Sequence, residues 1–191
     1  MQQDIFEYGA TYHIYNRGIN KEDIFKEEKN YAYFLSLMKK YLVPVADIYA
    51  YCLMKNHYHL LLRFREHPKD LATTAYMPLS NMLNAYSKGI NKCYQRTGSL
   101  FQRYPKRNRV TDKEYFMQLV VYIHLNPVKH NFSSLLNYPH SSYNAIISTQ
   151  PTNLDRKAVL DYFDDVENLI AWHDIQRLEH QKIKELAEED V

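Results

Sequence analysis

Residues 46–64 read ADIYAYCLMKNHYHLLLRF, and the way these side chains alternate decides the architecture. Ala46–Met54 and His57–Phe64 are strand-like runs separated only by Lys55 and Asn56, the length of a tight hairpin turn. In the second run Tyr58, Leu60, Leu62 and Phe64 form an apolar row suited to a core, while His57, His59, Leu61 and Arg63 share the opposite face. Upstream, Thr11–Arg17 (TYHIYNR) alternates as a strand closed by Gly18. Residues 28–42 then place Tyr31, Phe34, Leu35, Met38, Tyr41 and Leu42 at helical spacing ahead of Pro44. Downstream, a helix fits residues 79–94, ended near Gly98, and residues 103–110 read as a basic edge strand. Thr111 and Glu114 have the spacing of a capping box for a third helix, expected to stop at Asn126 because Pro127 disfavours helical geometry in the residue before it. The order strand, helix, two strands, helix, strand, helix predicts an α+β fold, a ferredoxin-like (RRM-like) sandwich with an antiparallel sheet.

Beyond Pro151 the chain turns acidic and helical, with segments around 154–163 and 166–188. A domain over 1–150 with a helical C-terminal extension over 151–191 is therefore expected. The division shows in the charge. Residues 152–191 hold 11 acids against 5 bases, a net of −6, so a total of +2 leaves +8 on the remainder. Between Asp70 and Asp112 there is no acid and there are seven bases: Lys88, Lys92, Arg96, Arg103, Lys106, Arg107 and Arg109. Such a segment is the electrostatic footprint expected of a phosphate-backbone contact, although a solvated basic face has the same composition. No apolar run approaches the ~20 residues of a membrane helix, and the first residues show neither a basic start nor an apolar stretch, so neither membrane insertion nor a signal peptide is expected. Cys52 and Cys93, far apart and without CxxC spacing, argue for a reducing, cytoplasmic setting and against a disulfide or zinc-finger scaffold. The chain has 18 tyrosines and only 4 glycines; stacking on bases is one use for so many rings, and compositional drift is the plainer one.

His57 and His59, adjacent on one strand face, form a bidentate platform for a metal ion. By itself His-x-His is a weak signal, more often a solvated or structural pair than a ligand pair. Tyr122 and Asn126, four apart on the third helix, share a face, so the Asn126 amide oxygen is a candidate third ligand and Tyr122 a candidate nucleophile beside the metal. Without the histidines both would read as ordinary helix residues. His124 falls on another face; His13 neighbours the site or is structural; His67, His130, His140, His173 and His180 have no evident partner in the sequence.

The chain resembles the single-tyrosine transposases of the HUH endonuclease superfamily, and specifically the REP-associated tyrosine transposases. The resemblance is carried by YHIYNRG at 12–18, YCLMKNHYHLLL at 51–62, RTGSLFQRYPKR at 96–107, YIHLNPV at 122–128 and YPHSSY at 138–143. It departs at Tyr58, where the family is usually aliphatic, at Phe101 and His140, where it often has tryptophan, and at Lys129, usually arginine. The resemblance implies a divalent ion, Mg²⁺ or Mn²⁺, on His57, His59 and Asn126, with Tyr122 attacking a DNA phosphodiester to keep the 5′ phosphate and free a 3′ hydroxyl. It implies single-stranded or hairpin DNA as the partner and a monomer or homodimer; the basic segment with Arg96, Arg103, Lys106, Arg107 and Arg109 is where that contact is expected, a solvated strand being the alternative. Two rivals remain. A non-catalytic single-stranded nucleic-acid-binding module explains the bases but leaves the histidines and Asn126 idle. A zinc hydrolase needs a third strong ligand and a carboxylate base, and the nearest acid is Glu66.

Overall fold

The computed structural model describes residues 6–66, 75–130 and 134–189, with side chains up to 179; the histidines at 67 and 180 fall outside the described side chains. Strand β1 (Thr11–Arg17) is followed by helix α1 (Glu28–Tyr41), the hairpin β2 (Ala46–Met54) and β3 (His57–Phe64), helix α2 (Tyr76–Cys93), strand β4 (Lys106–Val110) and helix α3 (Lys113–Lys129). Three further helices are α4 (Tyr143–Ile147), α5 (Arg156–Phe163) and α6 (Val166–Glu189). The four strands form one antiparallel sheet in the order β2-β3-β1-β4, the ferredoxin-like arrangement, with β4 on an edge. No helix among the described residues is long and apolar enough to cross a membrane.

Alternation along β3 produces two differently used faces. Tyr58, Leu60, Leu62 and Phe64 are fully buried, with Tyr58 against Phe34 of α1 and Phe101. The Tyr58 hydroxyl is buried and finds no hydrogen-bond partner among the described residues, the physical cost of a tyrosine where an aliphatic side chain would do. On the other face α3 lies across β2 and β3, which covers the surface that an open-sheet RNA-binding module would use. A bulge at Tyr49, where the β2–β3 register shifts between Ile48 and Ala50, turns that ring against Phe116 of α3 at 5.1 Å.

Four boundaries differ from expectation. The α3 N-cap is Asp112, whose carboxylate accepts from the Tyr115 amide at 2.8 Å; Thr111 stands one residue too early for the capping box. The helix also continues through Pro127 to Lys129, because a proline in the last turn removes one amide without breaking the turns before it. Helix α2 begins at Tyr76 rather than 79, with Pro78 in its first turn, where its missing amide would have had no partner. Strand β4 starts only at Lys106, after Pro105.

Helices α5 and α6 pack against α3, and α5 also packs against β2. His124, fully buried on α3, meets His173 of α6 (Nδ1 to Nε2, 2.9 Å) and Ser142 (Nε2 to Oγ, 2.7 Å), while His173 Nδ1 donates to the Leu169 carbonyl at 2.7 Å. Both histidines have partners that only the folded chain supplies. Their burial drives the His173 pKa down to about 4 and that of His124 well below its ordinary value, so both are neutral.

Candidate active site

Register brings the site residues together. In the antiparallel pairing Tyr15 lies opposite His59, Arg17 opposite His57, and Lys106 opposite Tyr15, so these side chains share the sheet face beneath α3. A cavity of about 240 Å³ is lined by His57, His59, Tyr122 and Asn126, with Tyr15, Arg17, Gln102, Lys106 and His130 around them. The two strand histidines, the helix tyrosine and the helix asparagine thus converge from three elements. Tyr115, which shares the Tyr122 face seven residues earlier, lines a neighbouring groove and does not reach this cavity.

Each histidine is oriented by its Nδ1. His57 Nδ1 lies 2.7 Å from Asn56 Oδ1, an acceptor only, so Nδ1 donates and Nε2 keeps its lone pair. His59 Nδ1 is 2.9 Å from His13 Nε2; with His59 donating, its Nε2 is likewise the unprotonated nitrogen. Burial lowers the pKa of His57 to about 4, with help from His130 and Arg17, and that of His13 to about 4; burial, then His13, His57 and His130, hold His59 well below its ordinary value. Neutral imidazoles whose second nitrogen is tied to a neighbour are the state that metal binding requires.

Asn126 is nearly fully buried and donates its amide to the Tyr122 carbonyl at 2.9 Å, one helical turn back. Its side chain lies beside His57 in the cavity wall. A neutral Nε2 and an amide oxygen are both acceptors, and a cation satisfies both. Among the described residues no group of three or more His, Cys, Asp or Glu is arranged to hold a metal ion, so any ion here would rest on two imidazoles and the Asn126 amide. That also leaves the zinc-hydrolase reading without its third strong ligand.

Tyr122 is 38% exposed, so its side chain is open to solvent. Its ring meets His59 edge-on at 5.6 Å and His13 at 6.1 Å, and the Lys129 ammonium lies 4.6 Å from its centroid. Partial burial lowers the Lys129 pKa from its ordinary value. His13, Arg17, Asn56 and Lys129 also neighbour the site. The sequence marks His13 as a neighbour of the site or a structural residue, and the β1–β3 register identifies the face it shares with Arg17.

The basic residues divide. Lys106 lines the cavity. Arg107 and Arg109 pair with Ile14 and Tyr12, on the opposite sheet face, where Arg107 covers the Phe6 ring at 4.6 Å and Arg109 binds Glu7 at 2.7 Å. Arg96 is held by Glu22 at 2.5 Å and Asn91 at 2.9 Å, tying the end of α2 to the turn after Gly18. At Gly18 a Cβ would come within 2.1 Å of the Glu22 carbonyl oxygen, so that close approach needs glycine. Arg103 stacks over Tyr104, which is 55% exposed.

Fold and site together define an α+β protein with a ferredoxin-like sheet, a paired-histidine strand and a tyrosine-bearing helix across it. The fold is that of a REP-associated tyrosine transposase solved bound to a REP hairpin, with a TM-score of 0.59 and 13% identity over 79% of this chain and 87% of that one. No family model matches the chain, and no curated protein matches it.

Proposed function

We propose that the protein is a transposase-like, metal-dependent endonuclease and strand transferase for single-stranded DNA, acting through Tyr122. The observation that carries this reading is the shared cavity, in which Tyr122, His57, His59 and Asn126 meet. The fold, common to a transposase bound to hairpin DNA, supports it. The catalytic unit is assigned to 1–150 and an accessory role to 151–191. All four residues come from one chain, so this site needs no second copy to be complete.

His57, His59 and Asn126 would hold one divalent ion, Mg²⁺ or Mn²⁺, which would polarise a non-bridging phosphate oxygen. An imidazole-rich set with one amide oxygen suits Mn²⁺ better than the harder Mg²⁺. Tyr122 Oη attacks phosphorus, losing its proton as the O–P bond forms. The P–O3′ bond breaks and the departing oxygen takes up a proton, leaving a 5′-phosphotyrosine and a free 3′ hydroxyl. Lys129, whose ammonium lies 4.6 Å from the Tyr122 ring centroid, would offset negative charge that develops at the attacked phosphate. The ester conserves the energy of the phosphodiester, so the 3′ hydroxyl of a second strand can reverse the step. Arg17 and Lys106, at the cavity wall, are the cations best placed for the flanking phosphates.

The test is incubation with labelled hairpin DNA carrying single-stranded flanks, with Mn²⁺ or excess chelator, resolved on a denaturing gel. The expected result is a metal-dependent protein–DNA adduct, absent in Tyr122→Phe, which still binds DNA. An adduct undiminished by chelation overturns the metal assignment.

A further inference from the structure

The cleavage chemistry leaves unused a groove of about 700 Å³ that adjoins the small cavity and shares Tyr15, His59 and Tyr122 with it. We propose that this groove is a base-reading subsite, which takes the unpaired nucleobase attached to the scissile phosphate and selects bases that carry an exocyclic amino group. The inference rests on the nuclease reading above.

Size separates the two spaces. The small cavity falls below the ~300 Å³ at which small-molecule pockets usually begin, and so suits a single phosphate, whereas the groove lies well inside the range for a nucleotide-sized ligand. Charge separates them in the same sense. Arg17 and Lys106 wall the cavity, while Glu114 of α3 and Glu179 of α6 wall the groove, with Lys129 at its inner end beside Tyr122. A phosphate is therefore drawn to the cavity and repelled from the groove, and the nucleotide bridging the two directs its base outward from the cavity.

The groove walls carry what base recognition needs. Tyr15 and Tyr115 stand on the catalytic side, and Trp172 of α6 on the other, its edge packed against Phe163 at 6.2 Å. Aromatic faces of this kind stack any base. Selection falls to the carboxylates. Glu114 accepts from Gln118 at 3.3 Å and Glu179 from Gln176 at 2.9 Å, and each keeps further acceptor capacity. Carboxylates accept from amino groups such as that of cytosine and oppose a keto oxygen such as that of thymine. This gives α6 a purpose, since it supplies the outer wall of the groove.

Trp172 is the only tryptophan in the chain, so tryptophan emission, excited selectively over the tyrosines, reports this groove. The probes are oligodeoxycytidylate and oligodeoxythymidylate of equal length, alike in charge and ring size; cytosine carries a 4-amino donor where thymine carries a keto oxygen, and thymine adds an N3–H and a 5-methyl group. The expected result is that oligo-dC quenches Trp172 and binds roughly 5- to 150-fold more tightly than oligo-dT, the range of one good base contact. In the Glu114→Gln, Glu179→Gln double variant the dC/dT ratio should fall towards one, and Trp172→Phe should keep the preference while losing the signal. Equal affinity for the two oligonucleotides, or dC binding that leaves Trp172 emission unchanged, overturns the proposal while adduct formation at Tyr122 still stands. If neither oligonucleotide binds and no adduct forms, the nuclease reading fails, and this inference with it.

Discussion

Two pairs of buried histidines bracket helix α3, and they are built alike up to a point. His13 and His59 meet at 2.9 Å on the sheet face, and His124 and His173 meet at 2.9 Å between α3 and α6. In both pairs burial pushes the imidazoles towards the neutral form. The second pair is closed, since Ser142 and the Leu169 carbonyl take its remaining nitrogens. The first pair lines open space, together with Tyr122, and no further hydrogen bond holds its rings among the described residues. Burial and a lowered pKa therefore do not distinguish a site from a structural knot; unused ring nitrogens at a cavity wall do.

The sharpest way to break this comparison is to delete one member on each side. His59→Ala should abolish the adduct on the hairpin gel, as should His57→Ala beside that pair. His124→Ala should instead cost about 2–4 kcal/mol in denaturant unfolding, from a cavity plus unpaired groups on Ser142 and His173, with the folded fraction still forming adduct. An inactive but fully stable His124→Ala protein would erase the distinction.

Acid should act on the closed pair through stability. Burial takes the folded pKa of His173 to about 4 and that of His124 well below the ordinary 6.5. As pH falls below about 6.5 the unfolded chain takes up protons that the folded chain refuses, so stability drops, by up to about 1.4 kcal/mol per pH unit for each histidine, until the folded groups titrate. Urea unfolding between pH 7 and 5 checks this, and His173→Phe should flatten the dependence. A slope unchanged in that variant would mean the acid sensitivity lies elsewhere.

His13 sharpens the comparison from the open side. If it orients His59, then His13→Ala should weaken Mn²⁺ affinity by about 10- to 100-fold, leaving the adduct recoverable at high metal. The smallest effect concerns β4. Lys106→Ala should flatten the log–log salt dependence of single-strand binding by about 0.7, and Arg109→Ala, on the far face, should leave it unchanged. Equal flattening by both would place the strand along the edge of β4.

Much of the fold was legible because local rules coincided with tertiary ones. The hairpin boundaries follow from alternation around Lys55-Asn56, and β1 from the same pattern before Gly18. Where a local rule competes with packing it misleads: Pro127 reads as a stop, yet α3 runs on to Lys129, and Thr111 reads as the cap that Asp112 provides. At the site, His57, His59, Tyr122 and Asn126 could be gathered from spacing and motif. The division of Lys106 from Arg107 and Arg109 could not, because it depends on which β4 residues face β1 partners on the site side. The His124–His173 contact spans 49 residues and two helices, and no periodicity encodes it.

The central claim is that one tyrosine of eighteen is the nucleophile. It is tested most directly by trapping the adduct on hairpin DNA with Mn²⁺, digesting both polymers and locating the phosphonucleotide by mass spectrometry. The account predicts the modification on Tyr122 and on no other residue. A nucleotide found on Tyr115, two helical turns away, would contradict it.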